Sequence, residues 1–346
     1  MRNDTRLVFN AYLKQVALLN TITAATEKFN VTPSIQQKLE AAIKESSDFL
    51  KRINVIGVDE QEGEAIGLGV LSTIAGRTNT ASNPRTPRDV SNLTKDSYSC
   101  KKTDFDTAIP YKLLDAWAKF PEFQAMLSAA ITQAQALDRI MIGFNGTSVA
   151  ANTDRDANPL LEDVNIGWLQ KYRLNAPERV MSSGSAPGKI TIGATGDYKT
   201  LDGLVYDAIQ LLDPWHRRRP DLVVLVDRDL LHAKFLANIE GASDNENELA
   251  AARIIANATL GGRPIVDAPF FIERGIMITA LSNLSIYWQT GARRRHIKDQ
   301  PEWDRIADFQ SSNESYVIED YGLGALIENI EEADPSAPVD SAGAKS

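Results

Sequence analysis

Apolar residues recur at three- and four-residue spacing from the start of the chain. Leu7, Val8, Tyr12, Val16, Leu19 and Thr23 share one face of a helix predicted over residues 1–30. Thr32-Pro33 restarts a helix as cap and first residue, and Ile35, Leu39, Ile43, Leu50 and Ile53 continue its stripe. The strongest helical pattern runs from Glu122 to Phe144. Its stripe is Phe123, Met126, Leu127, Ala130, Ala134, Leu137, Ile140, Met141 and Phe144, opened by Pro121 and closed by Gly143 and Gly146. About 22 residues at 1.5 Å each make a rod of roughly 33 Å. The next stretch, Gly143 to Arg173, mixes turn signals with large apolar anchors: Phe144, Leu160, Leu161, Val164, Trp168, Leu169 and Tyr172. Asn145-Gly146 and Asn158-Pro159 predict turns. From Asn158 the pattern predicts a capped amphipathic helix, with Pro159 first and Glu162 and Asp163 at its positive end. An ordered loop directly after a long helix reads as a segment shaped to fit a neighbour.

Other stretches read differently. Between Val55 and Tyr111, glycines punctuate short β-prone pieces such as Ile66–Ile74, while Arg77 to Val90 holds almost nothing to bury. Strand-like ends with a polar middle predict an extended two-stranded excursion that needs another surface to lie on; composition alone equally allows a disordered linker. Ser182 to Gly196 reads as a loop or hairpin, and Leu201 to Leu212 as a helix. The run Asp221–Val226, bounded by Pro220 and Asp227, predicts a buried strand. Helices over Asp229–Asn238 and Glu246–Thr259, with strands at Arg263–Ala268 and Gly275–Leu281, make an α/β unit between about residues 195 and 290. Glu314 to Glu328 returns to strand character. The tail after Ile330 lacks large apolar residues apart from one Val and is expected to be disordered.

The bulk properties narrow the functional classes. A chain of 346 residues predicts about two domains. Its net charge of −9 repels phosphate backbones at long range, which argues against sequence-specific nucleic-acid binding. The single cysteine, Cys100, excludes an intramolecular disulfide and Cys-rich metal sites. No window reaches the roughly 18 apolar residues of a membrane span, and no signal-peptide pattern opens the chain.

Candidate chemistry is sparse. His216, His232 and His296 stand far apart, in no HxxxH or HExxH spacing, and read as structural. Asp227 and Asp229 follow a predicted strand and could hold a divalent metal in an α/β enzyme. The competing reading, an Asp capping the next helix, is favoured because no phosphate loop accompanies them: Gly261-Gly262 has neither GxGxxG nor P-loop spacing. Two basic clusters, His216–Arg219 and Arg293–His296, suit bidentate pairing across a subunit interface. No cofactor is expected.

Five segments carry a resemblance. NPLLEDVNIGWLQKYR with GFNG before it resembles the major capsid protein of peduovirus-type (P2-like) tailed phages. So do MRNDTRLVFNAYLKQVALLN, SSDFLKRINVIGV at Ser46–Val58, LSIYWQTGARRR at Leu284–Arg295 and YVIEDYGLGALIENI at Tyr316–Ile330, in the same order. The resemblance implies an α+β, HK97-type capsid fold with a long spine helix, an extended β-hairpin arm and an α/β axial domain. It implies these parts: residues 1–54 an N-terminal arm, 55–111 the extended arm, 112–194 a peripheral domain with the spine helix, 195–290 the axial domain, 291–330 a return to the peripheral domain, and 331–346 the tail. Residues 1–31 become a candidate cleaved segment, with the boundary at Phe29, Asn30 and Val31. The same resemblance implies a non-enzyme that self-assembles into hexamers and pentamers of an icosahedral shell around double-stranded DNA. Its partners would be a scaffolding protein or protease, a portal protein and DNA bound without sequence specificity, with no membrane. It would reside in the virion after assembly in the bacterial host cytoplasm. Arg77, Arg85, Arg88, Arg217, Arg218, Arg219, Arg293, Arg294, Arg295 and Trp168 are then candidate inter-subunit contacts. Covalent cross-linking through Lys95, Lys101 or Lys102 is a minor expectation.

Overall fold

The computed structural model describes residues 1–64, 75–82, 84–86, 97–117, 123–231 and 259–333. Two mixed sheets and one long helix organise them. The larger sheet has seven strands, and its main path runs Phe29–Asn30, Arg294–Gln300, Arg305–Ile318, Leu284–Gln289, Asn54–Val58. Lys101–Asp104 and Thr107–Pro110 also pair with Arg305–Ile318, which makes that 14-residue strand the hub. Its even-numbered residues from Ile306 to Ile318 are all buried, as period-2 alternation against a covered face requires. The cover is the long helix Phe123–Asn145, whose Gln135 and Arg139 reach Gln310 and Glu314.

The second sheet has six strands in the order Thr259–Leu260, Arg263–Val266, Leu222–Val226, Ile276–Ala280, Gly324–Ile327, Val180–Met181. The run Leu222–Val226 is buried at every position because both of its faces are covered. Val223 and Leu225 point into the core shared with Trp168, Phe144 and Tyr316, while Leu222, Val224 and Val226 point into a second core with the helix Leu201–Ala208. Thr200 caps that helix by accepting from the Gly203 amide. Gly261 and Gly262 take positive φ values of 57° and 75° to turn Thr259–Leu260 back onto Arg263–Val266.

Several expectations need correction. The first helix is Asn3–Leu19, not residues 1–30, and Phe29–Asn30 is an edge strand. The buried side of that helix carries Phe9, Val16 and Ala17, while Leu7 and Leu19 of the predicted stripe are exposed. The predicted stripe of the long helix holds at Ile140 and Phe144, which are buried, and fails earlier: Met126, Ala130 and Ala134 face solvent, while Thr132, Gln135 and Arg139 are buried. No helix begins at Asn158. It begins at Trp168, because the 158–163 backbone is spent on the preceding loop: Glu162 O accepts from the Thr147 and Ser148 amides, Asp163 O from Ala150, and Leu161 sits at φ 59°.

The predicted loop or hairpin at 182–196 contains Ile190–Ile192, which pairs in parallel with Ile330–Glu332. Of the segment expected as a 55–111 excursion, Asn54–Val58, Lys101–Asp104 and Thr107–Pro110 belong to the seven-stranded sheet, and Glu62–Glu64 pairs with Ser97–Ser99 in a separate two-stranded sheet. The α/β unit at 195–290 gives Leu284–Gln289 to the seven-stranded sheet and takes in Val180–Met181 and Gly324–Ile327. The strand read at Ile66–Ile74, the helix at Glu246–Thr259, most of Asp229–Asn238, Arg88, Lys95, His232 and the tail from 334 lie outside the described residues.

Candidate functional site

The most developed polar constellation is internal. Arg139, on the long helix, donates to Glu40 of the helix Pro33–Glu45 at 2.7 Å and to Glu314 of the hub strand at 2.6 Å. Arg293 donates to Glu40 at 3.0 Å and to Gln135 and Gln310 at 2.8 Å and 2.9 Å. All of these side chains are buried, two cations against two anions. Burial alone would raise the Glu40 pKa, but Arg139 and Arg293 outweigh it and hold the carboxyl below its ordinary value. Burial likewise works against the Arg139 cation, and Glu314 and Glu40 more than reverse this. Buried on all sides and joined by these hydrogen bonds, the cluster ties two helices to the hub strand.

Among the predicted contact residues, Arg293 is therefore corrected: at 1% exposure its guanidinium is consumed inside the chain. Trp168 is corrected too. It is fully buried, donates to the Ser285 carbonyl at 3.0 Å, and packs edge-on against Phe144 and Tyr316. Arg295 pairs with Asp308 at 2.7 Å and donates to the Tyr12 hydroxyl, which pins the first helix to the sheet. Arg217 donates to the carbonyls of Leu212 and Gln210, and Arg219 chelates Asp221. Arg77, Arg85, Arg218 and Arg294 remain exposed.

The candidate boundary residues are woven into the structure. Phe29 and Val31 are buried, and Phe29–Asn30 pairs with Arg294–Arg295. Asp227 acts as a local cap: its carboxylate accepts from the Asp229 amide at 3.3 Å and the Arg274 amide at 2.7 Å. His296 bonds the Thr26 carbonyl. His216, buried, bonds Asp320 at 2.9 Å, and Asp213 lies close enough that the three donor atoms fall within 4.8 Å of one another. Arg179 already occupies Asp213 at 2.7 Å. The Asp213–His216–Asp320 grouping escaped the sequence reading because Asp320 stands 104 residues from His216. Glu40 and Glu314 escaped it because no spacing rule links a helix carboxylate to a strand carboxylate.

The comparisons with known proteins agree with one another. Residues 8–330 match the family model described as phage major capsid protein, P2 family. The chain is 46% identical to the "Capsid proteins" of Escherichia phage P2, covering 98% of each. It is 44% identical to the major capsid protein of Serratia phage KSP20, covering 97% of this chain and 99% of that one. Among solved structures, a chain of the satellite phage P4 procapsid that includes the size determination (Sid) protein superposes with a TM-score of 0.81. Identity there is 43%, over 97% of this chain and all of the other.

Proposed function

The chain belongs to the P2 family of phage major capsid proteins and has the HK97-like α+β capsid fold, and from that premise we propose how its parts build a shell. It is a structural protein of the virion. The observation that supports the reading best is the match across residues 8–330, which spans both sheets and the long helix.

In this proposal, many copies form hexamers and pentamers that close an icosahedral shell around double-stranded DNA, contacted without sequence specificity. The six-stranded sheet and its helix form the axial domain, which keeps the core of 195–290 without Leu284–Gln289, adds Val180–Met181 and Gly324–Ile327, and meets its copies around each capsomer axis. The long helix and the seven-stranded sheet form the peripheral domain, which draws on 112–194 and 291–330 and also takes Asn54–Val58, Lys101–Asp104, Thr107–Pro110 and Leu284–Gln289. The stretch between Glu62 and Ser99 supplies the extended arm and the residues before Asn54 the N-terminal arm. A scaffolding protein or protease guides curvature and cuts near Phe29, Asn30 and Val31. Because Phe29 and Val31 are buried, the edge strand has to peel away before a protease can reach it. A portal protein admits the DNA, and packaging drives rigid-body domain rotation between two packings of one subunit. Assembly takes place in the bacterial host cytoplasm.

The experiment is negative-stain electron microscopy with sedimentation, on the chain expressed alone and with its neighbouring scaffold gene. Closed shells, or capsomers of five and six, are expected. A stable monomer under both conditions would overturn the assembly reading.

A further inference from the structure

The face of the seven-stranded sheet turned away from the long helix carries a groove. Two cavities of about 560 Å³ and 450 Å³ adjoin there and share Lys28, Lys102, Arg294 and Ser311. Strand register places the groups: Arg294 lies opposite Ser311, which lies opposite Asp104, and His296 lies opposite Phe309 and stacks on it at 5.9 Å. Lys102 is neutralised by Asp104 at 2.7 Å. Lys28, Arg294 and Lys298 are exposed, and among the described residues none makes an ion pair. Against the one unpaired carboxylate that also lines the groove, Asp106, these three cations leave it net positive on a chain of net charge −9.

The same chain presents the complementary charge. Between Asn54–Val58 and Glu62–Glu64, the residues Asp59, Glu60 and Glu62 are exposed. Glu62 is only 3.9 Å from Lys101, and Asp59 and Glu60 make no ion pair among the described residues. The turn is held rigid from behind. Gln289 donates to the Asp59 carbonyl at 3.3 Å, Tyr98 to the Glu60 carbonyl at 3.4 Å, and the Cys100 amide to the Gln61 carbonyl at 2.8 Å. Its backbone is thus fixed with the carboxylates exposed, so engaging a partner costs only side-chain entropy.

We propose that this groove receives the acidic turn Asp59–Glu62 of a second copy of the chain. The inference rests on the shell-building reading and names one contact within it. Gln61 lines the near end of the groove in its own chain, so turn and groove lie side by side on one flank. Surfaces placed that way satisfy each other in a two-fold arrangement, with each turn entering the other's groove. Such exposed ion pairs are weak singly and screened by salt; repetition over many copies makes them effective.

A charge-swap series tests this. Arg294→Glu with Lys298→Glu alters the groove; Asp59→Lys with Glu60→Lys alters the turn. All four positions are exposed, so unchanged thermal melts are expected. Each pair alone should lower shell yield by about tenfold, because like charges then face each other. The four changes together should restore the parent yield. Full yield from either pair alone overturns the proposal. Loss in both pairs without restoration also overturns it, and loss of double-stranded DNA binding in the groove variant would then assign the groove to the packaged polyanion. If the parent chain itself builds no shell, the assembly reading fails rather than this contact.

Discussion

Arg139 joins Glu40 to Glu314 by hydrogen bonds of 2.7 Å and 2.6 Å, with all three side chains out of solvent. The three residues come from separate elements: a helix near the N-terminus, the long helix and the hub strand. Removing the cation leaves two buried carboxylates short of compensation. Arg139→Met is therefore expected to cost about 3–5 kcal/mol, read as a lowered urea midpoint at unchanged slope. Adding Glu40→Gln and Glu314→Gln to that variant should recover part of the loss. If the single variant unfolds at the parent midpoint, the cluster is not what ties these elements together.

The same cluster sets an acid limit. Burial raises the Glu40 pKa and the two arginines lower it further, so the folded value lies below the ordinary 4.5. A carboxyl with a depressed folded pKa contributes stability that is fully present above its unfolded pKa and is lost as pH falls through the folded one. Denaturant midpoints measured from pH 6 down to about 2 should fall below roughly pH 4.5. Glu40→Gln should start from a lower midpoint at neutral pH and show a shallower acid limb. An acid limb of equal steepness in both proteins would remove Glu40 from the account.

Gly143 lies in the last turns of the long helix against the Trp168 indole. A Cβ there would stand 2.2 Å from the ring, so the glycine is what lets the tryptophan seat under the helix. Gly→Ala in a helix interior ordinarily gains up to about 1 kcal/mol from propensity. Overpacking a filled core costs about 1–3 kcal/mol, and backbone on one side with Phe144 and Tyr316 around the ring leaves little room to yield. Gly143→Ala should thus be destabilising, with a shift in tryptophan emission. A stabilised variant would mean that the indole moves freely.

The parts legible in the sequence are those whose burial follows a simple period. Leu222–Val226 reads as a strand because both of its faces are apolar, and the helix Leu201–Ala208 shows its period in the stretch Leu201–Leu212. The HK97-like fold was accessible through the five segments of family resemblance rather than through periodicity. What misled was polarity inside. The hub strand buries Asp308, Gln310, Ser312 and Glu314, and the long helix meets them with Thr132, Gln135 and Arg139. A pattern reader seeks an apolar face and so turns that helix toward Met126, Ala130 and Ala134. At Asn158 the capping chemistry is genuine, but Glu162 bonds the Leu160 amide and Asp163 the Asp154 amide, so the signals close a loop. Arg293 and Arg295 look alike in sequence, but Arg293 stands just before the strand Arg294–Gln300 and Arg295 within it, and they reach different partners, Glu40 and Asp308.

The N-terminal segment packs on one cluster and touches neither of the two largest cores. Phe9, Val16, Ala17, Ala25, Phe29 and Val31 meet Ile109, Tyr111, Leu114, Ile297 and Ile306. The cores around Trp168 and around Leu204 take nothing from residues 1–31. Polar latches hold the segment: Arg6 and Tyr111 both bond Asp299, Arg295 bonds Tyr12, and the Ala25 carbonyl accepts from the Ile297 amide at 3.3 Å. A chain lacking residues 1–31 should therefore fold, with its main cooperative transition kept. Its newly bare apolar face should bind a hydrophobic dye, and the Ile297 amide, now on an open edge, should exchange faster than in the full chain. Both changes together would establish residues 1–31 as a removable cover. Loss of the whole transition would show instead that the segment is part of the folding core.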